Sequence, residues 1–140
     1  DAAQLEYLDA ALTRHAGITK LLVMHHPPLI DAGGPAWAAL DKASTDQLAQ
    51  RQVAHVVPGI LSGHIHIHRV SNWHGVPVVI NKGMDSMMYP LETIDLRLVD
   101  RTGFAICDWV PSGLSVSFVP LTPAAKELAV VDEVRHKAFK

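Results

Sequence analysis

The spacing of apolar residues changes from a helical period to an alternating one about halfway along the chain. In the first half, leucines recur at three- and four-residue intervals from Leu5 to Leu12, which predicts a helix over residues 4–15. A second helix is predicted over residues 44–56, with Ser44 as its N-cap. Each predicted helix is followed by a short, mainly apolar run.

These two apolar runs, residues 20–24 and residues 60–62, are typical of buried parallel strands. Each run stops at a breaker, the first at Pro27 and the second at Gly63. Histidines follow the C-terminal end of each run: His25 and His26 after the first, and His64 and His66 after the second. Ligands of open α/β sheets bind at the carboxyl ends of the strands. We therefore expect these histidines to meet in one shared site.

The second half of the chain consists of closely spaced alternating segments separated by turn residues, which predicts antiparallel strands. They cover residues 69–73, 76–81, 93–99, 104–110 and 114–120. Residues 1–122 are predicted to form one unit, and residues 123–140 a C-terminal helix or tail. The fold class expected is α/β, with a mixed β-sheet flanked by helices.

Composition and charge remove several classes of function. The formal net charge is −2, so no basic field indicates nucleic acid or a membrane surface as a partner. The longest apolar run is too short to cross a bilayer. A single cysteine, Cys107, excludes an internal disulfide and favours a reducing, cytoplasmic location.

The clustered histidines indicate metal chemistry, because imidazole is a ligand for Zn, Fe, Mn, Co and Ni. His64 and His66 are two residues apart and would share one face of a strand. His25, at the end of the preceding strand, makes a third nitrogen donor at the same edge. From spacing alone, a pair of exposed strand histidines remains an equal alternative.

A resemblance to a known family supports the interpretation of the histidines as metal ligands. Residues 21–29, LLVMHHPPL, resemble the fourth motif block of calcineurin-like metallophosphoesterases, an apolar strand followed by His-x-Pro. Residues 60–66, ILSGHIH, look like the last block of that family, an apolar strand followed by Gly-His-x-His. The His-His-Pro-Pro sequence is similar to that of the class III cyclic-nucleotide and glycerophosphodiester phosphodiesterases. The similarity covers residues 4 to about 110 and implies part of a two-sheet metallophosphoesterase sandwich.

The resemblance implies a binuclear site that hydrolyses phosphoesters or phosphodiesters through a metal-bridging hydroxide. His25 and His64 would bind the second metal, and His66 the first. His26 would lie in the outer shell or face the substrate. The cofactors implied are two divalent or trivalent metal ions, with Mn, Fe, Zn and Co all open, and the substrate is a small phosphoester.

The sequence departs from the family in its first three blocks, which supply the carboxylate ligands and a further histidine. None of them occurs here, and the family places them before the helix with which this chain opens. We therefore expect the chain to be the C-terminal half of such a domain, with residues 123–140 trailing it. It would need the N-terminal half, in cis or in trans, and would be inactive or nearly so alone. An exposed sheet edge makes an oligomer possible.

Three alternatives stay open at this point. A histidine-triad nucleotide hydrolase or transferase would use His66 as its nucleophile, with no metal. A single zinc site would use His25, His64 and His66 and keep a fourth position open. A non-enzymatic interaction module would retain the fold without catalysis.

Overall fold

A computed structural model describes residues 2–83, 87–88, 95–121 and 126–132. Two α-helices, α1 (Ala2–Arg14) and α2 (Lys42–Ala54), and one 3₁₀ turn (Ala36–Ala38) occur in this part of the chain. The strands are β1 (Leu22–Val23), β2 (Ile60–Ser62), β3 (Arg69–Trp73), β4 (Val76–Ile80), β5 (Met87–Met88), β6 (Asp95–Asp100), β7 (Gly103–Val110), β8 (Gly113–Pro120) and β9 (Lys126–Asp132). The α/β class and the mixed sheet predicted from the sequence are confirmed.

The largest sheet has four strands in the order β1-β2-β4-β3. Strands β1, β2 and β4 run parallel, and β3 pairs antiparallel with β4. The β3–β4 hairpin was expected, but the parallel pairing of β4 with β2 was not. That pairing has a topological consequence, because three parallel strands now end at the same edge of the sheet.

The residues of the β3–β4 turn explain why the sequence predicts this hairpin. His74 and Gly75 both have positive φ, 49° and 82°, as a two-residue type I′ turn requires. The amide of Gly75 also donates a hydrogen bond of 3.1 Å to Oδ1 of Asn72. The turn thus fixes the register in which Trp73 pairs with Val76.

Two small antiparallel sheets complete the described structure. One has the order β5-β6-β9, and the other is the β7–β8 hairpin. The first two residues of the predicted strand 93–99 lie outside the described residues, and β6 extends to Asp100.

The C-terminal prediction of a helix or tail was wrong for residues 126–132, which form β9. Their apolar side chains include the β-branched pair Val130 and Val131, which favours a strand, and the segment pairs with β6. The rest of 123–140 lies outside the described residues, and the boundary after residue 122 stays a prediction.

The core lies between the four-stranded sheet and α2. Ile60, Val78 and Ile80 are at most 1% exposed, and Leu48 of α2 and Trp73 of β3 pack with them. Burying each such side chain contributes about 1.5–3 kcal/mol. The core therefore fixes the strands whose carboxyl ends lead into the histidine-bearing loops.

Helix α2 begins two residues earlier than predicted. Its N-cap is Asp41, whose Oδ1 accepts a hydrogen bond of 2.8 Å from the Ser44 amide. Ser44 instead occupies the third helical position and donates through its hydroxyl to Oδ2 of Asp41. Asp41 is the N-cap because its carboxylate accepts a hydrogen bond from an amide of the first turn that would otherwise be unpaired.

Two further sequence expectations concern surfaces. None of the helices in the described ranges is long and apolar enough to cross a membrane. Strand β1 lies at one edge of the four-stranded sheet, and its Val23 is 79% exposed. The exposed edge was expected; the oligomer, the cytoplasmic location and the absence of a nucleic-acid partner stay predictions.

Candidate metal centre

The parallel arrangement of β1, β2 and β4 brings the loops that follow them to one edge of the sheet. The loop after β1 and the loop after β2 are joined by a hydrogen bond of 3.0 Å from the Gly63 amide to the His25 carbonyl. The loop after β4 is joined to β2 by a bond of 3.0 Å from the Asn81 amide to the Ser62 carbonyl. The predicted convergence of the two histidine segments is therefore present in the structure.

Three histidines form a cluster at this edge. One ring nitrogen from each of His25, His26 and His64 lies within 4.8 Å of the others. The ring centroids of His26 and His64 are 3.9 Å apart, and each lies 5.0 Å from that of His25. His25 and His26 are exposed, and His64 is half-buried. The cluster is therefore open to solvent on one side and supported by the protein on the other.

The hydrogen bonds of His64 determine which of its nitrogens can bind a metal. Its Nε2 lies 2.7 Å from the carbonyl oxygen of Trp37, which can only accept, so Nε2 carries the proton. In the neutral ring Nδ1 then has a free lone pair, and it lies 3.2 Å from Nε2 of His25. A histidine that binds a metal commonly donates its other N–H to a backbone carbonyl in this way.

The separation of these two nitrogens also fits a shared metal. Two ligand nitrogens about 2.0–2.1 Å from one tetrahedral ion are about 3.3 Å apart. The observed 3.2 Å between His64 Nδ1 and His25 Nε2 agrees with that distance. An N–H···N hydrogen bond would give a similar distance, and metal binding would replace it.

The backbone that presents His64 is strained. His64 has φ of 70°, and the Ile65 amide donates to the Gly63 carbonyl at 2.9 Å, which closes a γ-turn around His64. This positive-φ form of the γ-turn is rare, and left-handed non-glycine residues cost about 1–3 kcal/mol and concentrate at functional sites. His66, with φ of 49°, is a second such residue in the same loop.

His66 does not join the cluster in the described structure. Its Nδ1 is buried and has no hydrogen-bond partner among the described residues. Of the three ligands predicted, the structure thus brings His25 and His64 together and places His26, rather than His66, beside them. The ligand role of His66 stays a prediction.

Burial lowers the pKa of His26, and the neighbouring His64 and His25 lower it further. A lowered pKa keeps the His26 ring neutral at pH 7, which leaves one nitrogen lone pair available. No carboxylate belongs to the cluster in the described part of the chain. The donor set is therefore entirely nitrogen.

The loop that carries His25 and His26 is held in place beyond the two histidines. Pro27 and Pro28 are buried, and the Leu29 amide donates to the Thr45 hydroxyl at 3.0 Å. The Leu40 amide donates to the Pro27 carbonyl at 2.9 Å, which ties the loop to the segment before α2. These bonds fix the loop on the helix that follows it.

An ion pair makes a second connection from this loop to the sheet. Arg69, at the start of β3, donates through both terminal nitrogens to the carboxylate of Asp31. The Arg69 guanidinium lowers the pKa of the Asp31 carboxyl mainly through this hydrogen bonding. No local pattern predicts this pair, because the two residues are far apart in the chain. Trp37 was missed for another reason, since a backbone carbonyl leaves no trace in residue type.

A second group of polar side chains lies under the β7–β8 hairpin at this edge. Lys82 is 1% exposed, and burial, with Arg101 nearby, lowers its pKa. His68 is half-buried, and its ring stacks on that of Phe118 with the two ring centroids 4.4 Å apart. Burial also lowers the pKa of His68.

The sequence matches no family model, and no curated protein matches it either. The resemblance to calcineurin-like enzymes therefore stays an expectation from the two histidine blocks.

Proposed function

We propose that this chain belongs to a metal-dependent hydrolase of phosphoesters or phosphodiesters. One observation carries the proposal: His25, His26 and His64 converge at the carboxyl edge of adjacent parallel strands, with ring nitrogens within 4.8 Å. The His64–Trp37 hydrogen bond supports it, because it leaves a ligand nitrogen facing the cluster. The resemblance of residues 21–29 and 60–66 to metallophosphoesterase blocks supplies the reaction class.

The residues present fit one metal ion better than two. His25 and His64 offer nitrogens 3.2 Å apart, which suits ligands of one ion. A binuclear site also needs a bridging carboxylate, and the described cluster contains none. We propose that the second metal and the carboxylates require an N-terminal segment of the metallophosphoesterase type, which would also complete the two-sheet sandwich.

Divalent ions at such a site supply Lewis acidity toward a phosphoryl group and its developing negative charge. This chain would hold the metal through its histidines and keep their side chains in the right orientation. The Trp37 carbonyl fixes the His64 tautomer, and the buried prolines anchor the backbone of the loop that carries His25. His26, exposed and kept neutral by its lowered pKa, can donate a hydrogen bond to a substrate oxygen through one ring nitrogen.

Hydrolysis of bis-p-nitrophenyl phosphate with added Mn²⁺ tests the proposal. The chain alone should show little or no turnover, and a complementing segment with the three absent blocks should restore it. His64→Ala should abolish the restored activity, whereas His74→Ala, in the distant hairpin turn, should leave it intact. Robust turnover by the chain alone would refute its incompleteness, and no turnover after complementation would refute the function. Metal-free cleavage of a nucleotide phosphoramidate, lost in His66→Ala, would assign the chain to the histidine-triad class.

A further inference from the structure

We infer that this chain by itself forms a mononuclear transition-metal site in which His26 is the third ligand, beside His25 and His64. The inference rests on the proposed function for the metal chemistry of this edge. It adds a ligand that the proposed function does not contain, since that proposal gives His26 a substrate-facing role.

The geometry of the cluster is the first argument. The rings of His26 and His64 are the closest pair, with centroids 3.9 Å apart, and His25 and His26 meet edge to face at 5.0 Å. All three ligand atoms fall within 4.8 Å of one another, so small side-chain rotations bring them onto one centre. His25 and His26 are exposed, so such rotations disturb no packing.

His64 provides the second, independent argument. Its Nε2–H is held by the Trp37 carbonyl, and the γ-turn around it aims Nδ1 at His25. An exposed histidine pair with no role would need neither the orienting bond nor the strained φ of 70°. These features fix one ligand in advance, and the two exposed histidines close on it.

His26 rather than His66 completes the set because of where the two side chains lie. His26 shares the solvent-facing side of the cluster, whereas Nδ1 of His66 is buried away from any partner within the described ranges. The carboxylates of a binuclear site would compete with His26 for the metal. Without them, the adjacent imidazole is the nearest available donor.

The donor chemistry selects the class of metal. Three neutral imidazoles suit Zn²⁺, Co²⁺, Ni²⁺ or Cu²⁺, whereas Mg²⁺ and Ca²⁺ prefer oxygen ligands. Because one side of the cluster is open, a fourth position remains for solvent or an anionic ligand.

Calorimetric titration of the metal-free chain with Zn²⁺ tests the inference, and Co²⁺ absorption spectra report the ligand set. The wild-type chain should bind one Zn²⁺. His26→Ala should weaken binding by more than about 100-fold, beyond the usual effect of losing an outer-shell partner. His66→Ala, the matched variant from the same region, should bind Zn²⁺ with nearly the wild-type affinity, and its Co²⁺ spectrum should be unchanged. Circular dichroism and thermal melts show that each variant is folded.

Four results would overturn the inference: wild-type affinity in His26→Ala, an equal loss in His66→Ala, two Zn²⁺ per chain, or no binding at millimolar Zn²⁺. Failure of the proposed function looks different. A chain that binds one Zn²⁺ through His26, yet gains no hydrolysis on complementation, would retain this inference and lose the phosphoesterase. If the complemented chain hydrolyses the substrate but His26→Ala binds metal normally, the phosphoesterase function is retained and this inference is lost.

Discussion

A methyl group added at Gly103 should destabilise the fold strongly, because the surrounding atoms leave no room for it. A Cβ there would lie 2.5 Å from the Val119 carbonyl oxygen, 2.8 Å from Cε of Lys82 and 3.2 Å from Cε1 of His68. The Val119 oxygen belongs to the β7–β8 backbone and cannot move without breaking the hairpin register. Overpacking of this kind costs about 1–3 kcal/mol, and the rigid backbone contact places Gly103→Ala near the upper end.

A thermal melt measures this cost. For a chain of this size, a loss of about 3 kcal/mol lowers Tm by roughly 12 °C. Gly17→Ala is the matched control, because nothing lies within 4 Å of its added Cβ. Its Tm should be unchanged or raised by a few degrees, since alanine restricts the unfolded chain. Equal Tm values for the two variants would refute the close packing of the β7–β8 hairpin over Lys82 and His68.

Three further predictions address a loop anchor, an ion pair and a hairpin turn. Thr45→Val leaves the Leu29 amide without its acceptor, so chemical denaturation should show a loss of about 1–3 kcal/mol, and an unchanged midpoint would contradict the loop anchor. In the folded state Arg69 lowers the pKa of the Asp31 carboxyl. The ionised carboxylate therefore stabilises the fold at pH values above the ordinary carboxyl pKa of about 3.9. This stabilisation is lost as the pH falls through the lower pKa of the folded state. The Tm difference between wild type and Asp31→Asn should therefore shrink from pH 6 to pH 3, and a constant difference would count against the ion pair. His74→Asn should raise stability by up to about 1 kcal/mol, because asparagine tolerates the positive φ of a type I′ turn better; a lower Tm would contradict this.

Local signals in the sequence predicted much of the fold. The short apolar runs before His25 and His64 identified two parallel strands, of which only β2 is buried, because β1 lies at the sheet edge with Val23 79% exposed. Alternation with turn residues identified the later hairpins. The β3–β4 hairpin was predicted almost to the residue, because His74-Gly75 is a local turn signal. By contrast, the pairing of β4 with β2, and the strand at 126–132, depend on neighbours distant in sequence. Local propensity does not decide such pairings.

The candidate site divides in the same way. Its position at the carboxyl ends of β1 and β2 followed from the breakers after each apolar run. The grouping of His26 with His25 and His64 did not, because spacing does not fix where side chains lie in irregular loops. The γ-turn at His64 and the Trp37 carbonyl contact are properties of the folded backbone, and no residue pattern encodes them visibly.

Metal analysis of the purified wild-type chain beside its His64→Ala variant tests the central claim most directly. After equilibration with Zn²⁺ and removal of unbound ion, the account predicts one metal per wild-type chain and essentially none in the variant. Equal metal content in the two proteins, or none in either, would contradict the assignment of this sheet edge as a metal centre.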